Sequence, residues 1–206
     1  MAERYREGWR RAGRPRAGNL SRGAYAAATL HGLRGDDRAR AVWLDIVDAL
    51  QTPGRTLAAA HFGEFFDALL LIHRGRPHQA MELLTIPPEE LNQWYSAQWR
   101  PWYAAVWAEA AVLSKHADAA GRLERARRLS SDNPVASAIV ARAAVLADGS
   151  TDDRRLNAVA TAFDEAGCRY QWARTLVLMG GRDRCRGEQA LAAMGASAMV
   201  WPPEPG

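Results

Sequence analysis

Apolar positions along this chain recur with a helical period, and polar breaks between them recur with a longer one. Phe62, Phe65, Phe66, Leu69 and Leu70 fall at i, i+3, i+4, i+7 and i+8, one stripe of a 3.6-residue helix. The same stripe is written by Trp99, Trp102, Tyr103, Val106, Trp107, Ala110 and Leu113. Val42, Trp43, Ile46, Val47 and Leu50 make another, and Val135, Ile139, Ala143 and Leu146 a fourth. Leu156, Val159, Ala160 and Phe163 follow, then Tyr170, Ala173, Leu176 and Val177, and finally Leu191 and Met194. No stretch alternates apolar and polar residues over six positions with β-branched enrichment, so no strand is predicted.

The breaks are polar turns: HGLRGDD (31–37), IHRGRPH (72–78), LSKHADA (113–119), LADGSTDD (146–153) and LMGGRDR (178–184). Gly35, Gly75, Gly149 and Gly181 mark four of them, and Lys115-His116 takes the place of the glycine in the third. One supersecondary unit recurring every 30 to 40 residues or so is the signature of a repeat architecture. Helical hairpins are expected at 18–51, 55–85, 101–131, 134–166 and 169–195. The fold class is therefore all-α, a right-handed α-solenoid of about five hairpins filling 18–196. Residues 1–17 read as the end of a preceding repeat helix plus a linker, and 197–206 as a Pro-rich tail. A Pro-rich insert at 86–99 is expected to bulge between the second and third units and to carry a short extra helix.

Start and stop residues agree with these limits. Asp36 and Asp152 stand where an N-cap carboxylate accepts from orphan backbone N–H groups. Pro77, Pro101 and Pro134 suit first helical turns, where proline costs no hydrogen bond. Gly35, Gly149 and Gly181 sit near helix C-termini, where the chain turns left-handed. The acidic pairs Asp36-Asp37, Glu89-Glu90 and Asp152-Asp153 all fall at expected helix starts, so they read as caps and not as acid–base pairs.

Composition changes this picture little. At 206 residues and 48% hydrophobic content, the chain can build a core without disulfide or metal staples. Its longest uncharged apolar run, AYAAATLHGL (24–33), is too short and too polar for a bilayer, and no secretory leader pattern opens the chain. With Cys168 and Cys185 also reading as small apolar helix residues, a cytoplasmic location without membrane association is expected. The net charge of +4 comes almost wholly from arginine, since Lys115 is the only lysine, and most arginines are interspersed with acids. Only Arg4 to Arg22 is locally basic, and it reads as a solvated helix face and linker.

Motifs for chemistry are missing. There is no G-x-x-x-x-G-K-[ST] loop, no G-x-G-x-x-G opening a helix, no H-E-x-x-H and no G-x-S-x-G elbow. His61 and Glu64 share a face but have no second ligand at metal spacing. Neither an enzyme nor a bound cofactor or metal is expected. One cluster stands out: Trp94, Tyr95, Trp99, Trp102, Tyr103 and Trp107 fall within fourteen residues. Most of it matches a core stripe, while Trp94, Tyr95, Trp99 and Arg100 are candidates for a partner-binding patch, because aromatic and Arg anchors dominate interfaces.

The segment FDEAGCRYQWARTLVLMGG (163–181) followed by RGEQALAAMGA (186–196) resembles the last helical repeats of large actinobacterial regulators. GNLSRGAYAAATLHGLRGDD (18–37) and WRPWYAAVWAEAAVL (99–113) also look like that region. Those proteins join a signal-transducing ATPase module to a tetratricopeptide-like solenoid, some with a nucleotidyl cyclase domain and others with a LuxR-type helix-turn-helix. The resemblance implies a tetratricopeptide-like sensor or interaction module of a transcription or signalling regulator. Its partner would be a protein, such as a signalling ATPase or regulator, and nucleic acid would be reached through other domains of a parent protein. Neither the ATPase loop nor a reading helix is present, so neither activity carries over. Two alternatives stay open: a nucleic-acid-binding helical protein using the arm Arg4 to Arg22, and a small-molecule-binding domain.

Overall fold

The computed structural model describes residues 2–16, 18–50, 57–91, 96–149 and 153–201. Among these residues the chain is all-α: eleven α-helices, two 3-10 turns and no strand. The helices are α1 (Ala2–Arg11), α2 (Ser21–Leu33), α3 (Asp37–Leu50), α4 (Leu57–His73), α5 (Pro77–Leu83) and α6 (Ser96–Leu113). They continue with α7 (Ala119–Ser130), α8 (Pro134–Ala147), α9 (Asp153–Glu165), α10 (Arg169–Met179) and α11 (Gly181–Ala193).

From α2 onward the helices pair as five consecutive hairpins. The first helices of the hairpins form an inner row, in which α2 packs on α4, α4 on α6 and α6 on α8. From the second hairpin on, the second helix also leans on the next first helix, as α5 does on α6, α7 on α8 and α9 on α10. The core is correspondingly continuous from hairpin to hairpin. Phe65, Ile72, Leu84 and Trp107 bury between the second and third, and Ile139, Val159 and Phe163 between the third and fourth. Burying each large side chain contributes about 1.5–3 kcal/mol, so the interfaces between hairpins carry a large share of the stability.

Local chemistry explains the hairpin turns. At the end of α2, Gly35 adopts φ 75°, and the backbone closes with Gly35 N–H on Gly32 O (3.1 Å) and Asp36 N–H on His31 O (2.9 Å). This paired closure needs a left-handed residue, which glycine supplies without strain. The third turn repeats the two bonds with Lys115 at φ 55°, a side chain standing where its neighbours use glycine. Asp36 Oδ1 accepts from Ala39 N–H at 2.9 Å and caps α3, and Asn133 Oδ1 does the same for α8 through Ala136 N–H. Asp152 lies outside the described residues.

Two boundaries differ from expectation. Pro101 lies inside α6, not in its first turn, because the helix already begins at Ser96. The Trp99 ring in that added turn stands edge-on to Phe65 and Phe66, 6.4 Å from each, and this contact holds it to α4. In the insert, the extra helix is a single 3-10 turn, Pro88–Glu90, fixed by Glu89 in a two-armed pair with Arg125 at 3.0 and 2.7 Å. At the other end α1 docks on the first hairpin: the Tyr5 ring lies 6.0 Å from that of Trp43, and its hydroxyl donates to Leu20 O.

Candidate functional site

The inner faces of α6, α8 and α10 carry charge where their patterns otherwise place alanine and aliphatic residues. Glu109, Arg142 and Arg174 are each 0% exposed. Arg142 donates from Nε to Glu109 Oε1 at 2.8 Å, with Nη2 at 2.7 Å from the same oxygen. Its remaining N–H groups reach Gln171 Oε1 (2.8 Å), Thr175 Oγ1 (3.1 Å) and the Gln171 carbonyl (3.3 Å). Its guanidinium also stands 5.1 Å from the Phe163 ring centre. Arg174 donates from Nη1 to Gln171 Oε1 at 3.0 Å and lies 3.4 Å from Glu109 Oε2. Its Nε and Nη2 have no acceptor among the described residues.

Residues 171, 174 and 175 fall one turn apart on α10, which is why a single helix face supplies three members of this cluster. Electrostatics follow from the packing. Burial works to raise the Glu109 pKa, but the two guanidiniums outweigh it and hold the carboxyl below its usual value. Burial draws Arg142 down to about 10 against the opposing pull of Glu109, so it stays charged near neutrality. The cluster therefore encloses two positive charges and one negative charge.

Beside it lies a second polar set, built on the buried His73. Tyr170 of α10 reaches back across the inner row to His73 at the end of α4, with its hydroxyl 3.1 Å from Nδ1. His73 Nε2 stands 3.1 Å from the carbonyl of Ser197. A carbonyl only accepts, so Nε2 carries the proton and Nδ1 accepts from Tyr170. Burial, reinforced by the nearby Arg174 charge, lowers the His73 pKa to about 4, and burial raises that of Tyr170 to about 12.

Ser197 belongs to an extended segment after α11 that returns to the start of the chain. Its N–H and hydroxyl both donate to Leu33 O, at 2.6 and 2.9 Å, and Val200 N–H donates to His73 O at 3.0 Å. Between them Met199 is buried in the core of α10 and α11. This strap uses the free carbonyls at the C-termini of α2 and α4, groups that a helix cannot satisfy internally. The fifth hairpin is thus tied to the first and second.

The candidates from the aromatic insert fall elsewhere. Trp99 and Arg100 are half-buried, with Trp99 against Phe65 and Phe66. Trp94 and Tyr95 lie outside the described residues. Of the N-terminal arm, Arg6 and Arg11 pair with Glu3 and Glu7 along α1. A surface cleft of about 220 Å³ between α1 and the first hairpin is lined by Arg6, His31, Asp36 and Trp43 among others. Among the described residues no three His, Cys, Asp or Glu side chains group as metal ligands would, and no helix is long and apolar enough to cross a membrane.

Comparison with models of protein families, with curated proteins and with solved structures finds no match for this chain.

Proposed function

We propose that this chain is a tetratricopeptide-like, right-handed solenoid that serves as a non-catalytic protein-interaction or sensor module of a bacterial signalling or transcription regulator, acting in the cytoplasm. The observation that carries the reading is the strap. Its backbone donates to carbonyls at the ends of α2 and α4, at Leu33 and His73, while Met199 inserts beside α10. An inner row of helices that offers free carbonyls and an apolar slot is suited to hold an extended peptide. Main-chain bonds would supply affinity there, and side-chain pockets would supply selectivity. The same surface would accept the partner's segment in exchange for the chain's own.

Affinity capture with the full chain, at moderate and at high salt, tests the reading. Recovery of one signalling ATPase or regulator at both salts supports it, provided that Val200→Asp changes the amount recovered. Recovery of nucleic acid alone, lost at high salt, overturns it in favour of the basic arm Arg4 to Arg22. Absence of any specific protein at either salt also overturns it.

A further inference from the structure

Arg174 holds a fully buried guanidinium whose Nε and Nη2 meet no acceptor among the described residues. These two N–H groups point the same way and form the edge that binds the two oxygens of an oxyanion in parallel. In Arg142 of α8 that same edge is filled by Glu109. Two guanidiniums therefore share one carboxylate, and Glu109 is committed to Arg142: it lies 2.7 Å from Arg142 but 3.4 Å from Arg174. A buried charge that must share its counter-charge is costly, and an unfilled N–H edge adds to that cost. Glu109 and Gln171 meet only Nη1, so no described side chain reaches the Nε/Nη2 edge. His73 is kept neutral, and the Tyr170 ring, 6.0 Å from the guanidinium, offers only its face.

We infer that the Nε/Nη2 edge of Arg174 is a binding site for a small oxyanion, a carboxylate or phosphate group, enclosed by the inner row of helices. The anion supplies the missing negative charge, and α10 presents the fork to receive it. Contacts from Tyr170 to His73 and from His73 to Ser197 join the helix that carries Arg174 to the strap. Occupancy is thereby linked to the contact between α10 and the end of α4.

The test is reversible urea unfolding of the full chain at pH 7 and constant ionic strength, in chloride, acetate and phosphate. Refolding in each anion lets it enter a site that is closed in the native state. Phosphate also stabilises proteins generally by exclusion from their surface, without saturating. The expected result is a saturating rise in the midpoint with phosphate or acetate over chloride. Whichever of the two saturates first assigns the group to phosphoryl or carboxylate. Arg174→Lys keeps the charge but loses the fork, and it is expected to weaken the apparent affinity at least tenfold. If that variant does not fold, calorimetric titration of the wild-type chain with phosphate and with acetate replaces it, with saturable binding expected. Equal, unsaturating effects of all three anions on the wild-type chain overturn the proposal and assign the edge to water. So does undiminished saturation in Arg174→Lys.

Discussion

Val200 donates its backbone N–H to the carbonyl of His73 at 3.0 Å, which joins residues 127 positions apart and fastens the end of the chain to its second hairpin. Three residues earlier, Ser197 makes the equivalent link to Leu33 of the first hairpin, through both its N–H and its hydroxyl. Replacing Ser197 by proline removes both donors while leaving every helix intact. Net hydrogen bonds contribute about 0.5–1.5 kcal/mol each, so Ser197→Pro is expected to lower stability by about 1–3 kcal/mol. Hydrogen exchange distinguishes strap release from general loosening. The Val200 amide should lose protection, while amides within α6 and α8 keep theirs.

His73 gives the fold a pH dependence. Buried between Tyr170 and Ser197 and facing Arg174 and Arg74, it is neutral in the folded chain, with a pKa of about 4 against the ordinary 6.5. Below 6.5 the unfolded chain takes up a proton that the folded chain refuses. The stabilisation from neutral His73 is therefore complete above pH 6.5 and falls away as pH drops toward 4. A shift of this size corresponds to roughly 3 kcal/mol. Urea midpoints measured between pH 7 and pH 4.5 should decline, and His73→Gln should flatten that part of the decline which His73 contributes.

The hairpins are legible in the sequence because each stripe faces one neighbour, as Phe65 and Trp107 do in a shared core. The start of α6 is not: Pro101 reads as a first-turn residue, and only the Trp99 contact with Phe65 and Phe66 adds the turn before it. The polar core escapes periodicity for a different reason. Glu109 and Arg142 lie on faces that a stripe assigns to packing, and their partners come from other helices. A signal does exist, because each is a lone charge between alanines in an otherwise apolar run, A-E-A and A-R-A. Such a charge is tolerated only if something opposite it has the complementary sign. The strap has no period at all, since it bonds to carbonyls at helix ends and follows no repeating surface.

Lys115 occupies a left-handed backbone position, φ 55°, which costs a non-glycine residue about 1–2 kcal/mol. The other turn of the same bonding pattern described above uses Gly35 at φ 75°. Lys115→Gly relieves that strain and gives back part of it through the greater freedom of glycine in the unfolded chain. A net gain of about 0.5–1 kcal/mol is expected. Thermal melts of the two proteins at equal ionic strength check it, and a lower melting temperature for the glycine variant contradicts this account of the turn.

Glu109 is the sole acid of the buried cluster, so its loss isolates two positive charges. Glu109→Gln keeps the shape and one acceptor oxygen but removes the negative charge that offsets Arg142 and Arg174. Removing one partner of a buried pair typically costs 3–5 kcal/mol or so, a large part of the stability of a chain this size. Replacing all three together tests whether charge or packing is responsible. In Glu109→Leu/Arg142→Met/Arg174→Met no buried charge remains, and apolar contact replaces the ion pairs. Such exchanges are often neutral or stabilising. The triple variant should therefore unfold at a higher urea concentration than Glu109→Gln alone. If it is the weaker of the two, then the directed bonds of Gln171 and Thr175 to Arg142 hold α8 against α10, and charge balance is secondary.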